Sequence, residues 1–207
     1  MSNRTVFKAG LLITSVGAVL IYAATLMSQP ELTFVLEKRV STELPPQVID
    51  RSMQILANWP QWFRNVAEAQ SQDIRGVAYP SIEQVLEPGS IIMLTMKRPS
   101  GNSDAPPAQL KIGVGKYLAN FILQLRLIED SSGALTQQFD QVNWEIDFPD
   151  AKTIHIKLEA RPATFRAKLL CAIAKPLVLS NLMLPEIEKL AKFTQPQSLE
   201  LKPAFQR

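Results

Sequence analysis

The stretch that decides the fold is VNWEIDFPDAKTIHIKL, residues 142–158. Its apolar side chains recur at every second position on both sides of a Pro149-Asp150 turn. Because successive side chains of a strand point to opposite faces, this spacing predicts two strands with one apolar and one polar face each. Strands joined by so short a turn pair in the antiparallel sense, so residues 137–159 predict a β-hairpin.

The same alternation continues from this hairpin towards the N-terminus. Five further segments show it: 32–43, 69–77 (weakly), 90–97, 109–115 and 120–129. Between them, Pro88-Gly89 marks a turn, residues 99–107 form a loop, and residues 129–134 form a hairpin connection. Consecutive strands with connections of this kind predict an antiparallel sheet, and its single apolar face needs one covering layer.

After the hairpin, the apolar spacing changes to three or four residues, which predicts a long helix over residues 164–193. Pro176 and Pro185 interrupt this segment, and each removes a backbone hydrogen bond and kinks or splits the helix. No other element is long enough to cover the sheet. The sequence therefore predicts an α+β domain over residues 31–194, in which a curved antiparallel sheet wraps around a long C-terminal helix. Residues 195–207 are expected to form a flexible tail.

Between the first strand and the rest of the sheet, residues 40–66 read VSTELPPQVIDRSMQILANWPQWFRNV. Pro45-Pro46 predicts the start of a helix, because proline is tolerated in the first helical turn. The apolar spacing that follows predicts a helix over residues 47–58, which Pro60 ends. A short second helix is expected at residues 61–67.

This order of elements resembles the START-like superfamily, also called SRPBCC or polyketide cyclase/dehydrase-like. Four short motifs carry the resemblance over residues 32–193: the helix-opening Pro45-Pro46, the aromatic turn Trp59-Pro60-Gln61-Trp62, the turn Pro88-Gly89, and Val142-Asn143-Trp144 in a late strand. The resemblance implies a helix-grip fold with an apolar cavity between the sheet and the long helix. Many members bind lipids, sterols or other apolar molecules there, and some are cyclases or hydratases. No catalytic residue is common to the superfamily, so the catalytic residues of this chain stay unknown.

Residues 9–27, AGLLITSVGAVLIYAATLM, contain no charge, and about 20 helical residues cross the hydrocarbon core of a bilayer. Arg4 and Lys8 precede this segment, so the positive-inside tendency places the N-terminus in the cytoplasm. Residues 1–30 are therefore expected to form a cytoplasmic stub and a transmembrane anchor. The domain then lies on the non-cytoplasmic side, in the periplasm or outside the cell. A cleaved signal peptide and a buried core helix are the alternatives.

Composition limits the remaining chemistry. Of 22 basic and 19 acidic residues, Arg4 and Lys8 lie before residue 31, which leaves 20 against 19 in the folded part. Nucleic acid is therefore not expected as a partner. Cys171 is the single cysteine and is expected to be a buried, inert thiol. The single histidine, His155, is expected to face solvent from its strand. Neither a metal nor a cofactor is expected.

The predicted ligand site combines the resemblance with the apolar faces of the strands and the long helix. Its lining is expected from Leu123, Leu125, Val142, Trp144, Ile146, Ile154, Ile156, Leu169, Ile173 and Met183. Trp59, Trp62 and Phe63 are expected at the cavity mouth or at an interface, because an indole has an apolar body and a polar N–H and is stable at such a boundary. The alternative for these three residues is that they close one end of the core.

The sequence thus predicts a membrane-tethered domain that binds or carries a lipid or other apolar small molecule. An enzyme of the cyclase or hydratase type is one alternative, and it needs two or more polar groups that converge in the cavity. A non-catalytic interaction module of a membrane assembly is the other, with an unknown protein partner. The C-terminal segment is expected to cover the core, and the alternative, which the cations Arg166, Lys168 and Lys175 allow, is that it lies on an anionic membrane surface.

Overall fold

The computed structural model describes residues 21–22, 24–25, 28–29, 31–72, 86–98 and 106–193. Among these residues no helix is long and apolar enough to cross a bilayer. Of the predicted span, only Ile21, Tyr22, Ala24 and Thr25 are described, and these four are helical. The predicted tail at residues 195–207 lies outside the described residues.

The described residues contain one sheet of seven antiparallel strands in the order β1-β7-β6-β5-β4-β3-β2. The strands are β1 Phe34–Ser41, β2 Val66–Gln72, β3 Ile91–Met96, β4 Gln109–Leu118, β5 Ile122–Asp130, β6 Phe139–Asp150 and β7 Thr153–Pro162. The predicted antiparallel sheet is confirmed, and each predicted strand overlaps an observed one. Residues 73–77 of the second segment and residues 99–105 of the predicted loop lie outside the described residues.

The inner face of the sheet follows from the alternation in β6 and β7. Along each strand, buried and partly exposed residues take turns. The register brings apolar side chains of neighbouring strands directly opposite each other, with Leu125 against Trp144 and Trp144 against Leu158. Phe121, by contrast, lies in the turn before β5 and is exposed, although its spacing from Leu123 and Leu125 predicts a place on the apolar face of strand 120–129. The turn breaks the period of two at this residue.

The segment after β1 forms two short helices. Helix α1, Pro46–Gln54, begins at proline as predicted and is followed by a 3-10 helix, Leu56–Asn58. Helix α2 is Trp59–Trp62. The predicted helix at residues 61–67 is wrong, because β2 already begins at Val66 and pairs with β3. Asn65, with φ of 57°, turns the chain in the left-handed region that asparagine tolerates.

The C-terminal helix is shorter than predicted and broken. Helix α3 is Phe165–Leu182, and the Thr164 hydroxyl caps it by accepting from the Ala167 N–H at 3.1 Å. Ala174 is non-helical, with φ of −124° and ψ of 36°, two residues before Pro176. This break is the predicted effect of a proline inside the helix.

Beyond α3 the chain runs extended and is fastened to the aromatic turn. Arg64 donates from its backbone to Leu184 at 2.7 Å and from Nη1 to the Ser180 carbonyl at 2.9 Å. Phe63 forms a β-bridge with Pro185. These bonds hold the C-terminal segment against the turn that precedes β2.

The short helix α4, Ile187–Leu190, then closes the core near the end of β1. The Thr42 hydroxyl donates to the Ala191 carbonyl at 3.0 Å. Lys38, the one charged residue at an apolar position of β1, forms an ion pair with Glu188 that lowers the pKa of this carboxyl. Because β1 is an edge strand, a charged side chain is tolerated at Lys38.

Two leucines of α3 provide a matched test of which helix face supports the fold. Leu179 is 0% exposed and belongs to the core, whereas Leu177 is 67% exposed. We expect Leu179→Ala to lower the free energy of unfolding by about 2–5 kcal/mol because it leaves a cavity. We expect Leu177→Ala to change it by less than about 0.5 kcal/mol. Urea unfolding followed by circular dichroism measures both, and equal losses would contradict the assigned faces.

Candidate functional site

Seven of the predicted lining residues lie on the inner face of three adjacent strands. They are Leu123, Leu125, Val142, Trp144, Ile146, Ile154 and Ile156. All are fully buried and belong to one apolar cluster. The register forms a continuous row in which Leu123 faces Ile146 and Ile146 faces Ile156. The structure thus brings these seven residues together, while ligand binding by them stays a prediction.

Protein atoms cover this row almost completely. Each of the seven side chains is at most 1% exposed in the part of the chain that the structure describes. Dense packing of this kind is normal for a protein interior. A ligand between the sheet and the helix therefore needs a movement of the covering elements.

The three predicted lining residues near the C-terminus behave differently from the strand residues. Met183 is buried just after α3, and Leu169 is half-buried on the helix. Ile173 is 73% exposed and does not join the inner face. The helix instead presents to the core Cys171, Leu179 and Leu182. Apolar residues occur around the whole circumference of α3, so its spacing could not identify the buried face.

The aromatic group Trp59, Trp62 and Phe63 lies inside the core and not at an interface. All three side chains are fully buried. The rings of Trp59 and Phe63 are stacked, with centroids 4.7 Å apart and an interplanar angle of 2°. Their burial matches the alternative in which they close one end of the core.

The three tryptophans differ in how their indole N–H groups are satisfied. Trp59 donates to the Met53 carbonyl at 2.7 Å, and Trp144 donates to the Leu182 carbonyl at 2.9 Å. The N–H of Trp62 is buried and has no acceptor among the described residues. A buried donor without a partner costs about 1–3 kcal/mol. The indole N–H of Trp62 is therefore an unpaired polar group in an apolar interior. A hydrogen-bond acceptor placed beside it would stabilise it.

A polar cluster joins α1 to the sheet. The Tyr117 hydroxyl lies 3.0 and 2.9 Å from the two carboxylate oxygens of Asp50, a residue that is itself buried. Gln54 Nε2 donates to Asp50 at 2.9 Å and also to the Tyr117 hydroxyl. A bulge in β4 between Val114 and Lys116 brings Tyr117 opposite Leu123, in line with the inner row.

Burial raises the pKa of Tyr117 to about 12, and the hydrogen bond and negative charge of Asp50 act in the same direction. The hydrogen bond from Gln54 opposes them. The phenol therefore stays protonated and acts as a donor. Sequence reasoning missed this cluster, because Asp50 and Tyr117 are 67 residues apart and no motif links them.

The outer face of the sheet carries a groove with a cavity volume of about 250 Å³. Its outward-pointing lining residues come from β4 to β7: Gly115, Gln124, Arg126, Gln141, Asn143, Glu145, Lys157 and Glu159. Lys157 Nζ lies 2.7 Å from a carboxylate oxygen of Glu159, and this hydrogen bond raises the pKa of the lysine. Glu145 accepts a hydrogen bond from Gln124.

This groove is a weaker candidate than the inner face. Its volume is below the roughly 300–1,000 Å³ of typical ligand pockets. Two of its carboxylates are already engaged by Lys157 and Gln124, so they offer little to a ligand. It also lies on the side of the sheet opposite the predicted lining.

His155 and Cys171 are both accounted for by packing. His155 points to the outer face as predicted, but its side chain is only 12% exposed, so the expected solvated position is wrong. Its Nδ1 lies 2.8 Å from Asp147, and Glu37 lies 3.7 Å from its Nε2. Cys171 is buried, and burial raises the pKa of its thiol. A raised pKa keeps this thiol protonated and unreactive.

No protein-family model matches this sequence, and no curated protein matches it. Solved structures do resemble the chain. The major latex-like protein 151 of Panax ginseng has a TM-score of 0.56 at 10% identity and covers 80% of this chain and 99% of its own. Truncated norcoclaurine synthase of Thalictrum flavum has a TM-score of 0.51 at 14% identity, with coverage of 81% and 97%.

A third similar structure, Ara h 8.0201, has a TM-score of 0.52 at 8% identity and covers 78% of this chain and 97% of its own. All three are Bet v 1-like proteins of the START/SRPBCC superfamily. Identities this low establish the fold alone. The chain therefore has the helix-grip fold of the START-like superfamily, as the sequence motifs predicted.

Proposed function

We propose that this chain is a membrane-tethered domain that binds a lipid or other apolar small molecule between its sheet and helix α3. The apolar inner face of three strands supports this assignment, since it supplies the lining that such a ligand needs. The helix-grip fold and the START-like resemblance support it too, because superfamily members bind apolar molecules at this place. The observation that carries the proposal is the unpaired indole N–H of Trp62.

The unpaired indole N–H of Trp62 favours the binding of a ligand in the interior. This N–H is buried and unpaired among the described residues, and the ring of Trp62 contacts the rings of Trp59 and Phe63. A ligand with an apolar body and one acceptor oxygen would satisfy this donor and bury its own apolar surface in the same step. The proposed ligand class is therefore a fatty acid, a sterol or another lipid that carries an oxygen acceptor.

The break in α3 provides a route for such a ligand. Pro176 has no backbone N–H, and Ala174 is already non-helical, so the two halves of the helix are not joined by a full hydrogen-bond ladder. Tilting of one half then costs less than bending an intact helix. We propose that this movement opens the packed interior.

Residues 9–27 supply the tether in this proposal. Their length and lack of charge suit a membrane span. The described residues of the segment, among them Ile21 and Tyr22, expose their apolar side chains instead of packing them on the domain. Two residues after the segment, the Gln29 carbonyl accepts a hydrogen bond of 2.9 Å from Lys168, which attaches the end of the tether to the start of α3.

An enzyme is the second candidate, and the cluster of Asp50, Gln54 and Tyr117 is the observation that favours it. The cluster provides the converging polar groups that this alternative requires. Its members, however, bond to each other, and a phenol with a pKa of about 12 is far from the value near 7 that suits a general acid or base. We therefore assign the cluster to joining α1 to β4 and favour binding over catalysis.

Replacing Trp62 by phenylalanine tests the proposed acceptor site. We expect Trp62→Phe to lower the amount of lipid that co-purifies with the full chain roughly fivefold, as the loss of about 1 kcal/mol implies. Native mass spectrometry from detergent, with extraction and quantification of bound lipid, measures this amount. Full retention of lipid by the folded variant would contradict the site.

The matched control is Trp59→Phe, which removes the same ring volume from the same cluster. Because Trp59 donates to Met53, its loss leaves a buried carbonyl unpaired. We expect Trp59→Phe to be less stable than Trp62→Phe by about 1–3 kcal/mol in urea unfolding, with lipid retained by the folded fraction. Equal stabilities would mean that Trp62 also has an acceptor in the folded chain.

Alkaline titration of absorbance at 295 nm tests the polar cluster. We expect Tyr117→Phe to remove the step near pH 12, and Asp50→Asn to move this step towards pH 10 because the negative charge is lost. The folded state holds the phenolic proton of Tyr117 more tightly than the unfolded state does. This difference stabilises the fold fully below about pH 10, and the stabilisation is lost as the pH rises through about 12. If the Tyr117→Phe variant instead lost a titration step near pH 10, the assignment of Tyr117 to the buried cluster with Asp50 would be wrong.

A further inference from the structure

Helix α3 carries an apolar stripe on the side that faces away from the core. Leu170 and Ile173 lie three residues apart before the break at Ala174, and Leu177 follows after it. They are 42%, 73% and 67% exposed. Large apolar side chains in a row at a surface indicate an interaction site when a partner can be identified.

The charge around this outer stripe identifies the chemistry of its partner. Residues 160–185 contain four basic residues and no acidic one. Of the 20 basic residues after residue 30, 16 remain elsewhere, against all 19 acidic residues. Arg166 and Lys175 are exposed and form no ion pair within the described part of the chain. An apolar stripe with unpaired cations beside it is suited to an anionic lipid surface.

The position of the N-terminal segment supports the same partner. Lys168, in the first turn of α3, donates to the carbonyl of Gln29 at 2.9 Å. Gln29 lies two residues after the predicted span, which is at most about 7 Å of extended chain. If residues 9–27 cross a bilayer, the start of α3 lies at its surface. The outer stripe, from Leu170 to Leu177, then follows directly along the same broken helix.

A second copy of the chain suits this surface less well than a bilayer does. A symmetric contact would place the basic residues of one helix against those of the other, with no acidic residue in 160–185 to pair with them. Lipid phosphates provide the missing negative charge. Arg166 and Lys175 can also extend their charged ends to the phosphates while the leucines and Ile173 enter the acyl region.

We propose that the outer stripe of α3, formed by Leu170, Ile173 and Leu177, lies on the anionic membrane surface in which residues 9–27 are anchored. The domain would then rest with α3 flat on the bilayer. The two halves of this broken helix would lie next to the lipids from which a ligand could enter. This inference rests on the tether in the proposed function and not on the ligand site.

Site-directed fluorescence in the full chain tests the proposal. A Cys171→Ala background removes the buried thiol, and Ile173→Cys or Leu177→Cys then carries an environment-sensitive NBD dye. The chain is reconstituted in vesicles of phosphatidylcholine with 30% phosphatidylglycerol, with or without doxyl-labelled lipid. We expect the doxyl lipid to quench either dye at least twofold and the emission to shift to the blue. A dye at Lys152→Cys, in the exposed β6–β7 turn, is the control and should stay unquenched.

Charge reversal separates lipid contact from simple anchoring. We expect Arg166→Glu with Lys175→Glu to abolish the quenching at position 173, while the chain remains in the vesicles after alkaline carbonate extraction. Quenching that persists in this variant would overturn the role of the two cations. A chain that is retained but unquenched at positions 173 and 177 would overturn the proposal.

The other occupants of the outer stripe give distinct results. Emission that is blue-shifted in vesicles but not quenched by the doxyl lipid would mean that another part of the chain covers the stripe, and a shift that depends on protein concentration would mean a second copy. Either result overturns the proposal. Quenching in a chain that is lost from the vesicles on carbonate extraction would support lipid docking of α3 and refute the membrane span of residues 9–27. Loss of co-purified lipid in native mass spectrometry would refute only the proposed ligand site.

Discussion

The bond between Trp144 and Leu182 is the point on which the architecture depends. Trp144 lies on β6, an inner strand of the sheet, between Leu125 of β5 and Leu158 of β7, and its N–H donates to the carbonyl of Leu182, the last residue of α3, at 2.9 Å. One side chain thus contributes to the apolar face of the sheet and satisfies a carbonyl at the end of the covering helix. A helix terminus leaves such carbonyls without partners inside the helix, so this bond stabilises the end of α3 against the sheet.

The chain that follows α3 closes the same core from the other side. Arg64 and Trp62 exchange backbone hydrogen bonds with Leu184 and Glu186, and Thr42 bonds to Ala191. The aromatic turn is consequently more than a link between a helix and a strand, because the C-terminal segment is hydrogen-bonded to it. The backbone carbonyl of Trp62 accepts one of these bonds, while its buried indole N–H has no acceptor among the described residues.

The two faces of helix α3 therefore have different surroundings. One face packs on the sheet through Cys171, Leu179 and Leu182, and the other presents Leu170, Ile173 and Leu177 to the surroundings. The break at Ala174 lies between the two halves of both faces. In the proposed arrangement, the same break lets the helix follow the membrane and opens the interior, so membrane contact and ligand entry would be coupled through one element.

The sequence by itself determined the sheet and its inner face. The period of two fixes which side chains share a face, and a single apolar face can only be the buried one, so Leu123, Leu125, Trp144 and Ile156 could be placed correctly. Only the tertiary structure decided the buried face of α3, because apolar residues surround that helix and give no direction. It also decided that β2 begins at Val66, because pairing with β3 outweighed the local helical pattern. The contact of Asp50 with Tyr117 depends on a bulge and on the packing of α1, which have no signature in the order of residues.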